Sequence, residues 1–578
     1  MKIDHLGTLL EITLKEQPFG SGENRLVSAF GSRCTQQNRN KYTHHNDCKI
    51  FTFVFFSHAV VHHSPGCYLP LYSERGRMNR KAVISPPVIT PSEVPAGAFM
   101  LSGGLAARGI EAPIHDLSLG FFRWLFLEHA PEAGYTNCLP SIEYLISPET
   151  EFYNPHKHRS VCGVLQSVLK SYSRKFPGWH LSLMDSIPPG VAHSPSTLIA
   201  LARGGSTPFS GYLNRWIERT RGTFDHALIS LAYLSQLPAA VETAWLLEQA
   251  GIRVTVGGSL VSALRDTGRG VELLNGCFRE IAFDDGRSLT GVDEPFLSKV
   301  EWPVFAEKWN YFSSRPVIPF PLTTGCTWNR CLFCPDRNKP FMNVPVDNLK
   351  KVLAGAPDNP VVHLIDSAVP VNTIHELLPL FKEKTSGFYG FARPQGDWLR
   401  GNLLHDMAES GCLMLQTGAE SGSSGILQRY MKGFSPDTAQ RVIASVSQAG
   451  IRNYVYLLFG LPGETEDDRM QTLELVRKLK GKIDYMNLSI FNLPEKCELT
   501  DRAEEFGIEP GEYDSDAPVL RFYRPFHSLD GSEPRTESRD FLKQVFRPDP
   551  AVGPILKATP RWFRAGHMAL MEKQGLYR

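Results

Sequence analysis

The 578-residue chain contains no apolar run approaching the ~18 residues that a membrane-spanning helix needs. Its densest apolar stretches, Phe51-Thr52-Phe53-Val54-Phe55-Phe56 and Phe121 to Leu127, are both too short, so no membrane span is expected. It also lacks net charge: a formal value of +1 provides no global basic field, and composition gives no reason to expect nucleic acid as a partner. No repeat of solenoid period is visible. There is no secretory signal pattern, and the 11 cysteines are an odd count scattered along the chain. That usage argues against a disulfide scaffold and for a reducing, cytoplasmic setting. With 42% hydrophobic and 21% charged residues, the composition is that of a folded globular protein, long enough for two or three domains.

What is present is concentrated in one stretch, Thr323-Thr324-Gly325-Cys326-Thr327-Trp328-Asn329-Arg330-Cys331-Leu332-Phe333-Cys334-Pro335. Three cysteines fall within nine positions, directly after the apolar run Val317 to Leu322, which reads as a strand. Thiolates are the ligands of iron–sulfur clusters, and close spacing lets one loop wrap a single cluster. Three ligands for four irons leave one iron open for chemistry. A zinc knuckle is the other reading, but it calls for a fourth Cys or His nearby. The neighbouring cysteines are the distant Cys277 and Cys412, and the nearest downstream histidine is His363.

Before the loop, residues 1–77 carry a polar tract from Gln36 to Asn46, scattered Cys34, Cys48 and Cys67, and no sustained period. Cys48, His58, His62 and His63 could form a metal site or be incidental to an extension that is not part of the fold; the second reading is preferred. From Lys81 the pattern becomes α/β. Ala82-Val83-Ile84 is a short strand, Ala96 to Arg108 a helix, and Asp116 closes a second strand. After an insertion at about 117–220, with helices expected at Thr197 to Arg203 and Tyr212 to Arg221, come the strand Ala227 to Leu231, the helix Ala239 to Ala250 and the strand Val254 to Gly258. Such alternation predicts a doubly wound parallel sheet with ligands at its carboxyl strand ends. Trp302 to Pro321 reads as a linker.

Beyond the cysteines, strands are expected at Val361 to Ile365, Phe388 to Ala392, Leu413 to Gln416, Tyr454 to Phe459 and Met486 to Ile490. Periodic helices lie between them, making about six β/α units rather than a full eight, an incomplete barrel. The residues just after each strand are then the ones to inspect. These are Asp366, a ligand candidate or a solvated strand-end carboxylate; Arg393, suited to pairing bidentately with a carboxylate or to a surface ion pair; and Gly418-Ala419-Glu420-Ser421-Gly422, where glycines admit a ligand close to the backbone. Gly460-Leu461-Pro462-Gly463-Glu464-Thr465 reads plainly as a tight turn with Thr465 capping the next helix.

The Cys-x4-Cys-x2-Cys loop, with an aromatic before the last Cys and at the end of a first strand, resembles the radical SAM superfamily. Its longer first gap, holding Trp328 and Arg330, is similar to a subset of cobalamin-binding members. The Glu420-Ser421-Gly422, Leu427, Met431 and Lys432-Gly433 block and the Gly460–Thr465 turn resemble further family blocks. The resemblance covers about 78–494 and implies a Rossmann-like B12-binding domain (78–300), then a partial TIM-like radical SAM barrel (301–494). Residues 495–578, with Cys497, Tyr523, Phe526 and Trp562-Phe563, would cap the barrel.

The resemblance implies that Cys326, Cys331 and Cys334 hold a 4Fe–4S cluster whose open iron chelates S-adenosylmethionine. Asp366, Arg393, Gly418, Glu420, Ser421, Gly460, Pro462 and Gly463 would surround that cofactor. It implies that Ser118, Ser230, Ser235, Gly257 and Gly258 make room for cobalamin. A Gly257-Gly258 pair alone reads as a turn. The family's cobalt-ligating Asp-x-His-x-x-Gly is absent: Ser118 stands where the His would be, so a His-off cobalamin is implied, and His115 is structural. The expected activity is cobalamin-dependent methyl transfer to an unactivated carbon of a small molecule or peptide, fed by an electron donor such as flavodoxin or ferredoxin. The alternatives are cobalamin-assisted cyclisation or rearrangement and a non-catalytic iron–sulfur or corrinoid sensor.

Overall fold

Two parallel sheets organise the chain. In the computed structural model, residues 80–147, 155–284, 286–511 and 518–560 are described, and they belong to one compact unit. The expectations for residues 1–77 and for Trp562-Phe563 lie outside the described residues.

The first sheet consists of β1 (Lys81–Ser85), β2 (Ile114–Asp116), β3 (His226–Ser230) and β4 (Arg253–Gly257), in the order β2-β1-β3-β4, all parallel. Every residue of β3 is buried, as is all of β1 but Lys81. Such near-continuous apolar runs are what a parallel sheet covered on both faces requires. The segment read as a linker is instead a strap along the edge of this sheet. Ile114 N–H donates to Val304 O at 2.9 Å and Ala306 N–H to Ile114 O at 3.0 Å. Trp302, Phe305 and Trp309 pack on one another there, with Trp302 edge-on to Phe99 at 5.6 Å.

The insertion is a helical lobe. The expected helices are present as Pro195–Gly204 and Ser210–Thr220, and Leu117–Glu128 and the 19-residue Pro155–Ser173 join them. Phe121, Phe122, Phe126, Phe209 and Trp216 are fully buried in it. Phe121 to Leu127, too short to cross a bilayer, lies within the helix Leu117–Glu128 and buries Phe121, Phe122, Leu125 and Phe126.

The second sheet has six parallel strands. They are β5 (Val317–Phe320), β8 (Val361–Leu364), β9 (Gly387–Ala392), β10 (Cys412–Glu420), β11 (Arg452–Phe459) and β12 (Tyr485–Ile490), in the order β12-β11-β10-β9-β8-β5. Between β5 and β8 a short antiparallel ladder joins β6 (Thr323–Thr324) to β7 (Met342–Asn343). Among the described residues no pairing joins β5 to β12, so the sheet is open. Its inner wall carries Tyr389, Tyr454, Tyr456 and Tyr485 with Val317, Val361, Leu413 and Met414 as one buried cluster. The Thr465 cap is observed: its hydroxyl accepts from Asp468 N–H at 3.3 Å and the Asp468 carboxylate accepts from Thr465 N–H at 2.9 Å, a capping box.

Candidate active site at the strand ends of the second sheet

The cysteine loop leaves β5 under the control of a buried carboxylate. Asp366, which follows β8 and is 1% exposed, accepts from the N–H groups of Leu322 (3.0 and 3.1 Å) and Thr323 (2.6 Å) and from the Thr323 hydroxyl (2.7 Å). Both its oxygens hold the exit of the neighbouring strand, and its place is beneath the loop as an anchor. Farther along, Leu332 N–H donates to Tyr430 O at 3.3 Å and Leu332 O accepts from Leu499 N–H at 2.9 Å.

Trp328, in the long first gap, is clamped from three sides. Its indole N–H donates to Met431 O at 2.7 Å, and the Arg393 guanidinium lies 4.2 Å from its ring centroid. Gly433 has φ +70°, and a Cβ there would overlap the indole; only glycine combines that backbone with that approach. Arg393 also donates to Gln395 Oε1 at 2.6 Å and to Lys432 O, and lies 5.3 Å from the Phe434 ring. Arg393 is not in a surface ion pair: it is 8% exposed and sits against an aromatic wall.

Lys432 projects the other way and donates to Glu420 Oε1 at 3.1 Å. Glu420, at the end of β10, has φ +62°, a left-handed conformation uncommon outside glycine and one found where a site over-determines the backbone. The register of β10 against β11 shifts between Gly418 and Glu420, re-aiming the carboxylate. Gly418 lies directly beneath it, where an added Cβ would come 2.9 Å from both Glu420 Oε1 and Phe391.

Charge and burial unite these groups with the cysteines. Burial pushes the Cys334 thiol up to about 12, with Asp336 and Cys331 adding to it. Burial by itself would pull Lys432 down, but Cys331, Glu420 and Cys334 together hold its ammonium above the ordinary value. Burial lowers Arg393 from its usual value, opposed by Cys331 and Cys326. Arg393 Nε and Thr324 Oγ1 are buried without a hydrogen-bond partner among the described residues, an arrangement that calls for a ligand or water. No group of three or more His, Cys, Asp or Glu among the described residues is arranged around a single ion. A cluster of several irons spreads its thiolates over separate metal atoms, so its fit is judged by donor set and surroundings. Soft thiolate donors beside two buried cations fit such a group.

The remaining expected residues fall into two kinds. Ser421 is fully buried, its hydroxyl 3.1 Å from that of Thr472 and accepting from Ser423 N–H; it ties β10 to the helix Glu466–Lys478 (α1). Gly460 N–H donates to Glu464 Oε2 at 2.6 Å, Pro462 O accepts from Tyr430 O–H at 2.7 Å, and Gly463 backs onto Arg429, so this turn is held chiefly by the protein. On the first sheet, the Ser118 hydroxyl donates to Ile89 O at 2.7 Å and accepts from Ile89 N–H at 2.9 Å, while Ser235 donates to Val88 O at 2.9 Å. Both clamp the loop after β1. Ser230 pairs in register with Gly257 and touches Gly97. Gly258 has φ +106°, and a Cβ there would overlap the Leu231 backbone, so the chain itself requires this glycine. His115 accepts from the Trp216 indole at 3.4 Å and burial lowers its pKa to about 4, as befits a structural residue.

Reading the sequence alone missed the inner wall. His363 stacks on Tyr389 at 4.4 Å and its Nδ1 is 2.8 Å from Glu93, which reaches over from the segment after β1. The alternation Tyr454-Val455-Tyr456 could have signalled that wall.

One family model matches a segment of this part of the chain. Residues 320–476 match the model of the radical SAM superfamily. The matched segment begins at the last residue of β5 and takes in the cysteine loop, Arg393, Glu420 and the Gly460 turn. No curated protein matches the chain. Among solved structures, the cobalamin-dependent S-adenosylmethionine radical enzyme OxsB with aqua-cobalamin and S-adenosylmethionine bound is 18% identical over 46% of this chain, with a TM-score of 0.36. The chain spans 45% of that protein's length. The same enzyme with aqua-cobalamin bound aligns over 66% of this chain and 68% of its own, at 14% identity and TM-score 0.44. The radical S-adenosylmethionine methyltransferase TsrM from Kitasatospora setae, with tryptophan substrate and a SAM analogue bound, aligns over 80% and 83% at 12% identity and TM-score 0.45.

Proposed function

We propose that the chain is a radical SAM enzyme that carries out cobalamin-dependent methyl transfer to an unactivated carbon. The observation that carries the reading is the packing of the loop of Cys326, Cys331 and Cys334 on Arg393 through Trp328 and on Lys432, itself paired with Glu420, through Phe333, all within the segment matched by the radical SAM model. A 4Fe–4S cluster held there would supply the electron that cleaves S-adenosylmethionine reductively, and cobalamin would supply the transferable methyl group.

The protein's share is positioning and exclusion of water. Asp366 fixes the strand exit from which the ligating loop springs. Lys432, buried and charged, neutralises thiolate charge and orients Glu420, whose carboxylate is placed to accept from a ribose hydroxyl. Arg393, braced by Trp328, presents its unpartnered Nε–H to a carboxylate. The inner tyrosine wall and the Glu93–His363 pair would face the substrate. On the first sheet the small residues Gly257 and Ser230 at the strand ends would admit a bulky nucleotide tail. A sensor would need none of the groups arranged to hold an adenosyl cofactor.

The test is product analysis of anaerobically reconstituted, reduced protein supplied with S-adenosylmethionine and hydroxocobalamin, so that every transferable methyl group must come from S-adenosylmethionine. Methyl transfer yields both 5′-deoxyadenosine and S-adenosylhomocysteine. 5′-Deoxyadenosine without S-adenosylhomocysteine would establish rearrangement instead, and neither product would establish a sensor.

A further inference from the structure

The insertion lobe carries a local charge imbalance in a nearly neutral chain. Over the whole sequence 61 Lys and Arg face 60 Asp and Glu, but residues 155–184 hold Lys157, Arg159, Lys170, Arg174 and Lys175 and no acid. Three of these cations are engaged. Lys157 lies 4.8 Å from the Tyr144 ring centroid, Arg159 donates to Lys557 O, and Lys175 pairs with Glu132 at 2.5 Å. The side chains of Lys170 and Arg174 are exposed and have neither an ion pair nor a hydrogen bond among the described residues.

Those two line a cavity of about 360 Å³, together with Ser167, Ser171, Tyr135 and Glu132. Small-molecule sites occupy roughly 300–1,000 Å³, so the volume is that of a ligand site. Its walls are fixed by the protein. Ser171 donates to Glu132 O at 3.2 Å, which ties the helix Pro155–Ser173 to the turn Pro131–Ala133. Ser167 donates to Gly163 O at 2.8 Å, and Tyr135 N–H to Ala130 O at 3.2 Å. The acid of the lining is already spent: the Lys175 ammonium holds the Glu132 carboxyl below its ordinary value, and His129 Nδ1 lies 3.0 Å from it. Lys170 and Arg174 are left unneutralised, four residues apart. Like charges at that helical spacing repel, so the pair is unfavourable until an anion joins it.

We infer that this cavity binds a phosphate-bearing small molecule. A phosphomonoester carries about two negative charges on three strong acceptor oxygens, enough to meet an ammonium and a guanidinium together. The guanidinium fork also matches phosphate bidentately. A single carboxylate would neutralise only one of the two cations. The remaining volume takes a small organic body beside Tyr135. The site is separate from the cysteine loop and the strand-end glycines, none of which lines it, so it gives the insertion a binding role of its own.

The experiment is isothermal titration of the full chain with glycerol 3-phosphate at fixed ionic strength. Saturable binding to one site per chain is expected, with a Kd of about 1 mM or tighter. Lys170→Glu and Arg174→Glu should each weaken binding at least tenfold; both positions are exposed, so both variants should melt as the wild type does. Arg174→Lys, which keeps the charge without the fork, should fall between. Arg219→Glu makes the same charge change on the same lobe without lining the cavity, and should bind as the wild type does. Absence of saturable binding overturns the proposal, as does an equal loss in Arg219→Glu, which would mark a diffuse field. A triglutamate peptide that binds more tightly than glycerol 3-phosphate, and is lost in the same two variants, would assign the cavity to an acidic peptide and overturn the phosphate assignment.

Discussion

The two sheets use their carboxyl strand ends in opposite ways. At the second sheet, charged groups converge from different elements. Glu420 sits in a left-handed conformation, Lys432 is buried against it, and Arg393 is braced on Trp328 with its Nε–H lacking a partner among the described residues. At the first sheet, the polar side chains are spent on the chain itself: Ser118 on Ile89, Ser235 on Val88, and Gln236 on Pro86. What remains there is small, Gly257 and Ser230. One set of strand ends gathers charged side chains and the other small ones. Mutations should therefore act through electrostatics in one half and through volume in the other.

Outside the three cysteines, the largest effect should come from Lys432→Met. Removing one partner of a buried charged pair costs about 3–5 kcal/mol, and Glu420 would be left without its cation. S-Adenosylmethionine cleavage should fall at least a hundredfold while circular dichroism still reports a folded α/β protein. Lys432→Arg restoring most activity would sharpen the electrostatic account, and full activity in Lys432→Met would break it. Next is Gly433→Val, which forces Trp328 out of its clamp and strains a positive φ, at a cost of about 1–3 kcal/mol. Activity should drop roughly tenfold or more, with a changed Trp fluorescence spectrum. Unaltered fluorescence and turnover would show that the clamp does not matter.

The first sheet is probed by volume. Gly257→Leu is the suitable substitution, because an added Cβ meets Ala282 O at 3.3 Å and nothing closer. Gly258→Leu would disrupt the backbone whatever binds there. Cobalamin uptake should be lost in Gly257→Leu, with iron content unchanged; uptake equal to wild type would remove the proposed slot. Bound cob(II)alamin should lack axial nitrogen splitting in its paramagnetic resonance spectrum, since the Ser118 hydroxyl is occupied by Ile89 and is no imidazole.

The smallest effect concerns pH. Burial raises the Glu464 carboxyl to about 7, against opposing contributions from Gly460 N–H and Arg469. A folded-state value above the unfolded one means that the neutral form is favoured in the fold. Its contribution to stability is fully present below the unfolded pKa, near 4.5, and is lost as pH rises through about 7. At about 1.4 kcal/mol per unit, that is at most about 3 kcal/mol. Thermal unfolding should show a decline over that window, and Glu464→Gln should flatten it. An identical pH profile in the variant would contradict the assignment.

Much of the fold was legible because buried parallel strands leave nearly continuous apolar runs. Val361–Leu364, Gly387–Ala392 and Arg452–Phe459 each lie within two residues of the expected bounds at either end. β10 was read as Leu413 to Gln416 but runs on to Glu420, because Gly418 and Ala419 carry no strand-like signal and are held by their neighbours. The helix Pro155–Ser173 was missed because its lobe is rich in Ser, His and Lys, with the apolar face carried by Leu165, Val168, Leu169 and Tyr172. Of the site, the cysteines could be read from spacing. The partnerships could not: that Asp366 anchors a strand exit, that Ser421 ties down α1 and that Glu93 meets His363 depend on contacts across 43, 51 and 270 residues.

The most direct measurement is 5′-deoxyadenosine formed per chain by anaerobically reconstituted, dithionite-reduced protein, beside the same preparation of Cys331→Ala. The wild type should hold about four irons per chain, as one cluster requires, and release 5′-deoxyadenosine. Cys331→Ala should lose most of its iron and all of the product. Full iron and undiminished 5′-deoxyadenosine in Cys331→Ala, or none from an iron-replete wild type, would contradict the assignment of the site.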